Sequence, residues 1–274
     1  MPGHAMPGYA MPGHAMREQA MTARYPGTEL ALFATAHNWK SYIAETLKPY
    51  VRGRVLDVGA GIGGNIRSLL NPAVTHWTAL EPDPALAAAI PAVLADAAPP
   101  ACSVITGTLA SLPADERHDT ILYMDVLEHI ADDRTEVEAA ARRLRPGGRL
   151  IVLVPAHQFL YSPFDAAIGH HRRYAMRQLR VLTPPGTRTE LSRMLDSVGL
   201  CASLANRVLL RQADPTERQI ALWDRWMVRA SRLLDPAAGY RIGKSALIVW
   251  RAAATGPATV SAPGRTFARV CAAA

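Results

Sequence analysis

A glycine-rich turn and a carboxylate on the following strand are the residues whose types and spacing most clearly indicate chemistry. The run VLDVGAGIGG leads through Asp57 into Gly59, Gly61 and Gly63, and Glu81 ends the next apolar run, THWTALE. This pattern predicts a strand, a tight turn and the start of a helix, where a backbone without Cβ atoms lets a ligand approach closely. In a βαβ unit, a carboxylate at the end of the second strand binds ribose hydroxyls. Together the two features predict a site for a nucleoside cofactor.

The choice between nucleoside cofactors depends on the residue that precedes the turn. Gly59, Gly61 and Gly64 also match the dinucleotide pattern G-x-G-x-x-G, so an NAD-dependent oxidoreductase is one interpretation. Asp57, however, stands two residues before the first glycine, where a dinucleotide site usually has an apolar residue. A carboxylate there suits a ligand with an ammonium and a sulfonium group better than it suits a pyrophosphate.

Four motifs that follow one another along the chain resemble a single family. They are the glycine run, Glu81, the segment ILYMDVLEHI at 121–130 and the segment RLRPGGRLIVLVPAH at 143–157. From about Arg54 to Arg251 the chain resembles the class I S-adenosylmethionine-dependent methyltransferases. The resemblance implies a Rossmann-like α/β fold, with a seven-stranded, mostly parallel sheet, an antiparallel last strand, helices on both faces and an N-terminal helical cap. It also implies a cofactor, S-adenosylmethionine, that leaves as S-adenosylhomocysteine.

The same resemblance assigns roles along the cofactor. The glycine turn and the aspartate before it would face the methionine end, Glu81 would hold the ribose, and Asp125 would lie beside the sulfonium. Leu109 would flank the adenine, although many relatives carry an acidic residue near this position. The implied cofactor-binding residues are Asp57, Gly59, Ala60, Gly61, Gly63, Glu81, Pro82, Leu109 and Asp125.

The segment 155–174 concentrates ionisable and aromatic side chains directly after the fifth predicted strand. A long polar excursion of this kind in a compact domain is usually functional. The segment resembles a bacterial subgroup with the pattern P-A-H…D…G-H-x-R-R-Y, in which it forms a loop over the acceptor site. In this chain AMRQLRVLTPPG intervenes directly afterwards, and this insertion could reshape the pocket.

Four residues of this loop are the predicted catalytic residues. Neutral imidazole is the best proton acceptor near neutral pH, so His170 or His171 is the candidate base, with Tyr161 or Asp165 as its orienting partner. Adjacent side chains usually point apart, so one histidine of the pair would face the acceptor. In the alternative interpretation, alignment and exclusion of water suffice for methyl transfer. Asp165 then only pairs with Arg172 or Arg173 to hold the loop.

Aromatic residues on the acceptor side predict an aromatic or heterocyclic small molecule, such as a specialised metabolite, as the methyl acceptor. A carbon or nitrogen of an indole-like ring is the first interpretation, and a phenol or other hydroxyl is the nearest alternative. A nucleic acid or protein acceptor is a further alternative. The predicted substrate-binding residues are Trp39, Tyr42, His129, His157, Phe159, Arg173 and Tyr174.

Composition divides the chain into segments and excludes some classes of protein. The net charge of +7 comes from arginines spread along the chain, which argues against a specific nucleic-acid surface. Three widely spaced cysteines predict a reducing, cytoplasmic setting, and no spacing of ligands predicts a metal site. The alanine-rich and arginine-rich composition is typical of bacteria.

The chain is predicted to divide into a disordered repeat tail at 1–16, a helical cap at 17–50, a methyltransferase domain at 51–254 and a flexible tail at 255–274. Inside the domain, an active-site loop is predicted at 155–187 and a helical insertion at 209–244.

Periodicity places the motifs on alternating strands and helices. The amphipathic helix at 216–234 could pack on the core, form a dimer seam or lie on a membrane surface, although no apolar run predicts a membrane span. Strands are predicted at 54–58, 75–81, 103–107, 119–124, 149–154, about 200–208 and 245–252. Other helices are predicted within 28–50 and at 62–71, 84–96, 131–145 and 188–198.

Overall fold

Seven strands form one mixed sheet in the computed structural model, which describes residues 25–27, 29–95, 101–207 and 216–254. The strands are β1 Gly53–Val58, β2 Val74–Glu81, β3 Cys102–Thr106, β4 His118–Met124, β5 Leu144–Pro155, β6 Thr187–Leu195 and β7 Ser245–Ala252. Their order is β3-β2-β1-β4-β5-β7-β6, and β7 runs antiparallel to both neighbours while the other pairs are parallel. The predicted sheet is confirmed. The predicted tails at 1–16 and 255–274 lie outside the described residues.

The central strands are buried on both faces because their residues are apolar on both faces. Leu150 and Ile151 of β5 are fully buried and, as successive strand residues, belong to two different hydrophobic clusters. Near-continuous apolar strands of this kind are typical of a parallel sheet that is covered by helices on each side. The described helices are Glu29–Ala34, His37–Leu47, Gly64–Leu69, Pro84–Ala95, Asp133–Arg142, Pro163–Ala167, Met176–Val181, Ser197–Ala205, Glu217–Leu222 and Val228–Ala237.

The segment after the insertion folds differently from its prediction. The predicted helix at 188–198 is the edge strand β6, and the predicted strand at about 200–208 is the helix Ser197–Ala205. Pairing with β7 along the strand satisfies its backbone groups and overrides the helix-like spacing of its apolar residues. Asp196 caps the next helix by accepting a hydrogen bond from the Gly199 backbone at 3.0 Å. That N-cap is the sequence signal that the prediction overlooked.

A roof of helices covers one end of the sheet. Its parts are the N-terminal helices and the segment Glu217–Ala237, in which a π-helical turn at Trp223–Met227 joins two α-helices. Asp224 from this turn accepts a 2.8 Å hydrogen bond from the backbone of Trp39, and it thereby caps the helix His37–Leu47. The two ends of the chain's described part are therefore tied together above the sheet.

The amphipathic segment in this roof packs one face on the core, while its side chains Leu222, Trp226, Leu233 and Leu234 are exposed. Its residues Ile220 and Trp223 are buried as predicted, whereas Leu234, predicted on the same face, is 53% exposed. Within the described ranges, none of the helices has the combination of length and apolar character that crossing a bilayer requires.

Candidate active site

A large cavity lies under the roof at the carboxyl ends of β1, β2, β4 and β5. It has a volume of about 1640 Å³. Between β1 and β4 the strand order changes direction, and open α/β sheets bind their ligands at such a switch point. Pockets for one drug-sized ligand usually hold about 300–1,000 Å³. This cavity therefore has room for two molecules side by side.

The predicted glycine turn forms one wall of this cavity. Gly59 and Gly61 have positive φ angles of 67° and 56°, a conformation that favours glycine, and both line the cavity together with Ala60. A Cβ atom on Gly59 would lie 2.6 Å from Val126, so the chain reversal needs glycine there. Gly63, also predicted to bind the cofactor, instead caps the helix Gly64–Leu69 and does not line the cavity.

Glu81 joins the glycine turn to the end of β2, and it lines the cavity as predicted. Its carboxylate accepts hydrogen bonds from the backbone of Gly61 at 2.7 Å and of Asp83 at 2.9 Å. Burial raises the pKa of Glu81, and these two hydrogen bonds oppose the increase. Pro82 and Leu109 line the same part of the cavity. A carboxylate oxygen can accept a second hydrogen bond, so the group keeps capacity for a ligand hydroxyl.

Asp57 does not reach the cavity, contrary to the role that the resemblance implied. It is fully buried behind the turn, and burial raises its pKa to about 7. Asn65 donates a 3.2 Å hydrogen bond to this carboxylate and lines the cavity itself. Asp57 therefore supports Asn65, which sequence reasoning missed although it stands in the first turn after the glycines.

Asp125 presents a second carboxylate to the cavity, directly after β4. Its positive φ of 55° is uncommon for a residue with a side chain and is typical of strained functional positions. Desolvation by the surrounding residues raises the pKa of Asp125 to about 6, although the charges of His170 and Lys244 oppose the increase. This geometry agrees with the predicted place of Asp125 in the cofactor half of the cavity.

The loop after β5 brings a charged network to the opposite wall. Asp165 is buried and forms two 2.9 Å hydrogen bonds with the guanidinium of Arg173, and its Oδ1 lies 3.0 Å from Nδ1 of His170. Ser162 donates two further hydrogen bonds of 2.8 Å to the same carboxylate. Burial alone would raise the pKa of Asp165, but the hydrogen bonds from His170, Arg173 and Ser162 hold it well below its usual range. Asp165 thus orients His170, and both residues line the cavity.

Glu128 and His129 lie beside His170 and also line the cavity. One ligand atom from each of the three side chains lies within 4.8 Å of the others, and the rings of the two histidines meet edge to face with centroids 4.6 Å apart. Burial and the Asp125 charge raise the pKa of Glu128 well above its usual range. Burial and the nearby His170 lower the pKa of His129 to about 4. Local spacing did not predict this grouping because the loop supplies one member from 41 positions further along the chain.

Two predicted catalytic residues have positions that do not fit catalysis. His171 is exposed, does not line the cavity and uses its backbone amide to donate a 2.8 Å hydrogen bond to the carbonyl of Glu128. The hydroxyl of Tyr161 donates a 2.6 Å hydrogen bond to the carbonyl of His170 and does not line the cavity either. Both residues hold the loop in place. Of the two adjacent histidines, His170 lines the cavity and His171 does not.

Four predicted substrate-binding residues lie outside the cavity wall. His157 lies 2.9 Å from the carbonyl of Gly243 and stacks on Phe159, whose side chain is 52% exposed. Tyr174 is buried and donates hydrogen bonds to the loop after β4. Tyr42 donates a 2.8 Å hydrogen bond to a buried carboxylate in the roof. The aromatic rings are used in packing, which sequence alone does not distinguish from ligand contact.

The remaining predicted substrate-binding residues, Trp39, His129 and Arg173, do line the cavity. Sequence reasoning missed two of their neighbours, Lys244 and Trp223. The ammonium of Lys244 lies 5.1 Å from the ring centre of Trp223, and burial lowers the pKa of this lysine. No local pattern marks a lone lysine before the last strand, so only the tertiary structure finds it.

A family model described as "Methyltransferase domain" matches residues 32–206. A curated relative, the ubiquinone biosynthesis O-methyltransferase of Xylella fastidiosa (strain 9a5c), is 36% identical over 117 residues, which cover 40% of this chain and 45% of that protein. The match therefore spans less than half of the relative's length.

Similar solved structures share the fold at low sequence identity. A structure of coclaurine N-methyltransferase bound to N-methylheliamine and SAH has a TM-score of 0.55 at 11% identity, with 79% of this chain and 72% of that chain covered. A structure of the [4+2]-cyclase SpnF has the same TM-score at 16% identity, with 78% and 81% covered. Because these neighbours differ in their chemistry, the residues of the cavity must identify the reaction.

Proposed function

The chain belongs to the methyltransferase-domain family and is an S-adenosylmethionine-dependent methyltransferase, and from this premise we propose that it methylates an aromatic or heterocyclic small molecule in the cavity described above. The continuity of that cavity from the glycine turn to the loop after β5 carries the proposal. Its volume of about 1640 Å³ leaves space for an acceptor beside the nucleoside.

The glycine-turn half of the cavity fits the nucleoside. Bound S-adenosylmethionine supplies a methyl group that a positive sulfur activates for transfer. The bare backbone at Gly59 and Gly61 permits close approach, and Glu81 has the remaining acceptor capacity for the ribose hydroxyls. The Asp125 carboxylate, which lines the cavity, would stabilise the positive charge. Leu109 contributes an apolar surface for the base.

The acceptor half of the cavity is rich in aromatic side chains. In the roof Trp223 contacts both Phe33 and Trp39, and all three line the cavity. Phe164 lines it from the loop. Flat aromatic surfaces favour a flat acceptor, and they exclude water from the transfer. Alignment in a dry site supplies most of what a methyl transfer needs.

An acceptor that loses a proton needs more than alignment. His170 presents Nε2 to the cavity while Asp165 holds its Nδ1, so we propose that His170 assists the loss of this proton. This arrangement supports a phenol or another hydroxyl as the acceptor, in line with the name of the Xylella relative. A ring carbon or nitrogen of an indole-like acceptor is the second candidate. The expectation of a specialised metabolite rests on the aromatic residues near the acceptor, and the expectation of a bacterial cytoplasm rests on composition.

The substitution Glu81→Ala tests the cofactor half of the proposal. Calorimetry with S-adenosylmethionine and S-adenosylhomocysteine is expected to show binding to the wild type and at least about tenfold weaker binding to the variant, because hydrogen bonds to a charged group contribute about 1.5–3 kcal/mol. Glu45→Ala, at an exposed position, is the control and is expected to bind as the wild type does. Unchanged affinity of Glu81→Ala, or binding of NADH by the wild type, would overturn the assignment.

A further inference from the structure

We propose that Glu128, His129 and His170 bind a divalent transition-metal cation on the acceptor side of the cavity. The proposal deepens the function proposed above, because a cation there would act on the acceptor. Only that role toward the acceptor rests on the proposed function, since binding of the cation can be measured by itself.

The distances between the three side chains suit a common ion. One ligand atom from each lies within 4.8 Å of the other two, and Nε2 of His170 lies 3.8 Å from Oε1 of Glu128. Tetrahedral ligands about 2.1 Å from a zinc ion lie about 3.4 Å apart. Rotations of the side chains that shorten these distances by up to about 1.4 Å therefore suffice for coordination.

The carboxylate of Glu128 provides a second, independent observation. This side chain is fully buried, and among the described residues no other residue donates a hydrogen bond to either of its oxygens. A buried carboxyl group without hydrogen-bond partners is costly, so such groups are normally paired or bound to a metal. Nε2 of His170 lies 3.8 Å from Oε1, within ion-pair distance but beyond hydrogen-bonding distance. The nearby carboxylate of Asp125 adds negative charge and increases the attraction for a cation.

Both histidines are already oriented as metal ligands are. Nδ1 of His170 lies 3.0 Å from the Asp165 carboxylate, which leaves Nε2 directed toward Glu128. The ring of His129 has a hydrogen bond to the backbone of Gly169. Histidines that bind metals commonly use their other ring nitrogen in this way, with a carboxylate or a backbone carbonyl as the partner. Asp165 is therefore a positioning residue for the proposed site.

The ligand set indicates which cation fits and what it would do. Two imidazoles and one carboxylate suit iron(II), zinc or similar first-row cations, and they leave coordination positions open. Because all three residues line the cavity, those positions face the acceptor. A cation there would lower the pKa of a bound hydroxyl. With the ion in place, His170 would act as its ligand and not as the proton acceptor, and the proton of the hydroxyl would pass to solvent. The acceptor class that gains most is a phenol with a second oxygen donor next to its hydroxyl.

Cobalt(II) is a suitable probe because its visible absorption reports coordination by protein ligands. Titration of the full-length protein, after removal of metals and of any affinity tag, is expected to show saturable binding of one equivalent. His170→Ala and Glu128→Gln are each expected to weaken this binding at least about tenfold. His171→Ala is the matched control, because it removes the adjacent histidine that lies outside the cavity, and it is expected to bind as the wild type does.

Calorimetry with S-adenosylhomocysteine on the same proteins reports whether each variant keeps its fold and its cofactor half. Glu128→Gln keeps the shape of the side chain, so it serves even where His170→Ala is unstable. Absence of saturable cobalt binding to the wild type, or wild-type affinity in Glu128→Gln, would overturn the proposed metal site. Failure of the wild type to bind S-adenosylhomocysteine would overturn the proposed function instead, whatever the result with cobalt.

Discussion

Replacement of Asp165 by asparagine removes the charge at the centre of the loop network while keeping the shape of the side chain. In the wild type this carboxylate is buried and pairs with Arg173, whose side chain is 13% exposed, and with His170. The substitution therefore leaves a largely buried guanidinium and an imidazole facing a neutral amide. We expect both a less stable protein and a poorly oriented His170.

The size of the effect follows from the burial of this pair. Removal of one partner from a buried ion pair costs about 3–5 kcal/mol, and the lower end applies here because the amide still accepts one hydrogen bond. For a chain of this length each kcal/mol lowers the Tm by about 2–4 °C, so a decrease of about 6–12 °C is expected. The depressed pKa of Asp165 means that its charge stabilises the fold above about pH 4 and that this contribution is lost as the pH falls through its folded-state pKa.

Thermal and urea unfolding of the wild type and of Asp165→Asn measure this difference directly. The matched control is Glu45→Gln, which breaks an ion pair between Arg232 and a carboxylate whose side chain is 59% exposed. An exposed pair contributes about 0–1 kcal/mol, so the control is expected to unfold nearly as the wild type does. Equal losses of stability in the two variants at pH 7 would refute the reasoning, because burial would then make no difference.

Three further substitutions test other parts of the structure. Asp125→Asn is expected to weaken binding of the cationic S-adenosylmethionine more than binding of neutral-sulfur S-adenosylhomocysteine. In the wild type the preference for S-adenosylmethionine over S-adenosylhomocysteine should decline as the pH falls below about 6, the pKa of Asp125, because protonation removes the negative charge. A preference that stays constant from pH 5 to 8 in calorimetry would contradict this prediction. Tyr42→Phe removes the hydroxyl that donates a 2.8 Å hydrogen bond to the buried carboxylate of Asp235. The free energy of unfolding should therefore fall by about 1–3 kcal/mol. Unchanged cofactor affinity would confirm that Tyr42 lies outside the site. Gly59→Ala places a Cβ atom 2.6 Å from Val126, whereas Gly186→Ala has a similar positive φ with no atom within 4 Å of the new Cβ. Denaturation should therefore show a larger loss of unfolding free energy for Gly59→Ala. Equal losses would mean that backbone strain alone determines the effect.

The parts of the fold that the sequence predicts are those that depend on local patterns. The central strands are recognisable because burial on both faces makes them continuous apolar runs. Strand β6 was wrongly predicted as a helix because it lies at the sheet edge, where one neighbour and solvent permit a mixed composition. Its pairing with β7 joins residues 50 to 65 positions apart, and no local window contains that information.

The site divides in the same way. The glycine turn and Glu81 form one βαβ unit, so their spacing predicts their meeting. Asp165 and His170 are five residues apart, and their contact is one of the alternative pairings that the sequence predicted. Lys244 reaches the cavity from the far end of the chain, and its contribution could not be predicted. Aromatic residues that only pack or hydrogen-bond within the protein, such as Tyr42, cannot be distinguished by residue type from those that line the cavity. Only their contacts in the folded structure distinguish them.

The π-helical turn at Trp223–Met227 accommodates one residue more than a regular α-helical turn would. Asp224, inside the turn, caps the N-terminal helix, and Asp235, further along, accepts the hydrogen bond from Tyr42 of the same helix. Because the wider winding absorbs the extra residue, deletion of one residue from the turn would restore regular winding and leave the later segment nearly in phase. Deletion of one residue from the α-helix after the turn would instead rotate Asp235 by about 100°, away from its phenol. Homologous chains that are one residue shorter within the turn are therefore expected to keep a tyrosine at the position of Tyr42.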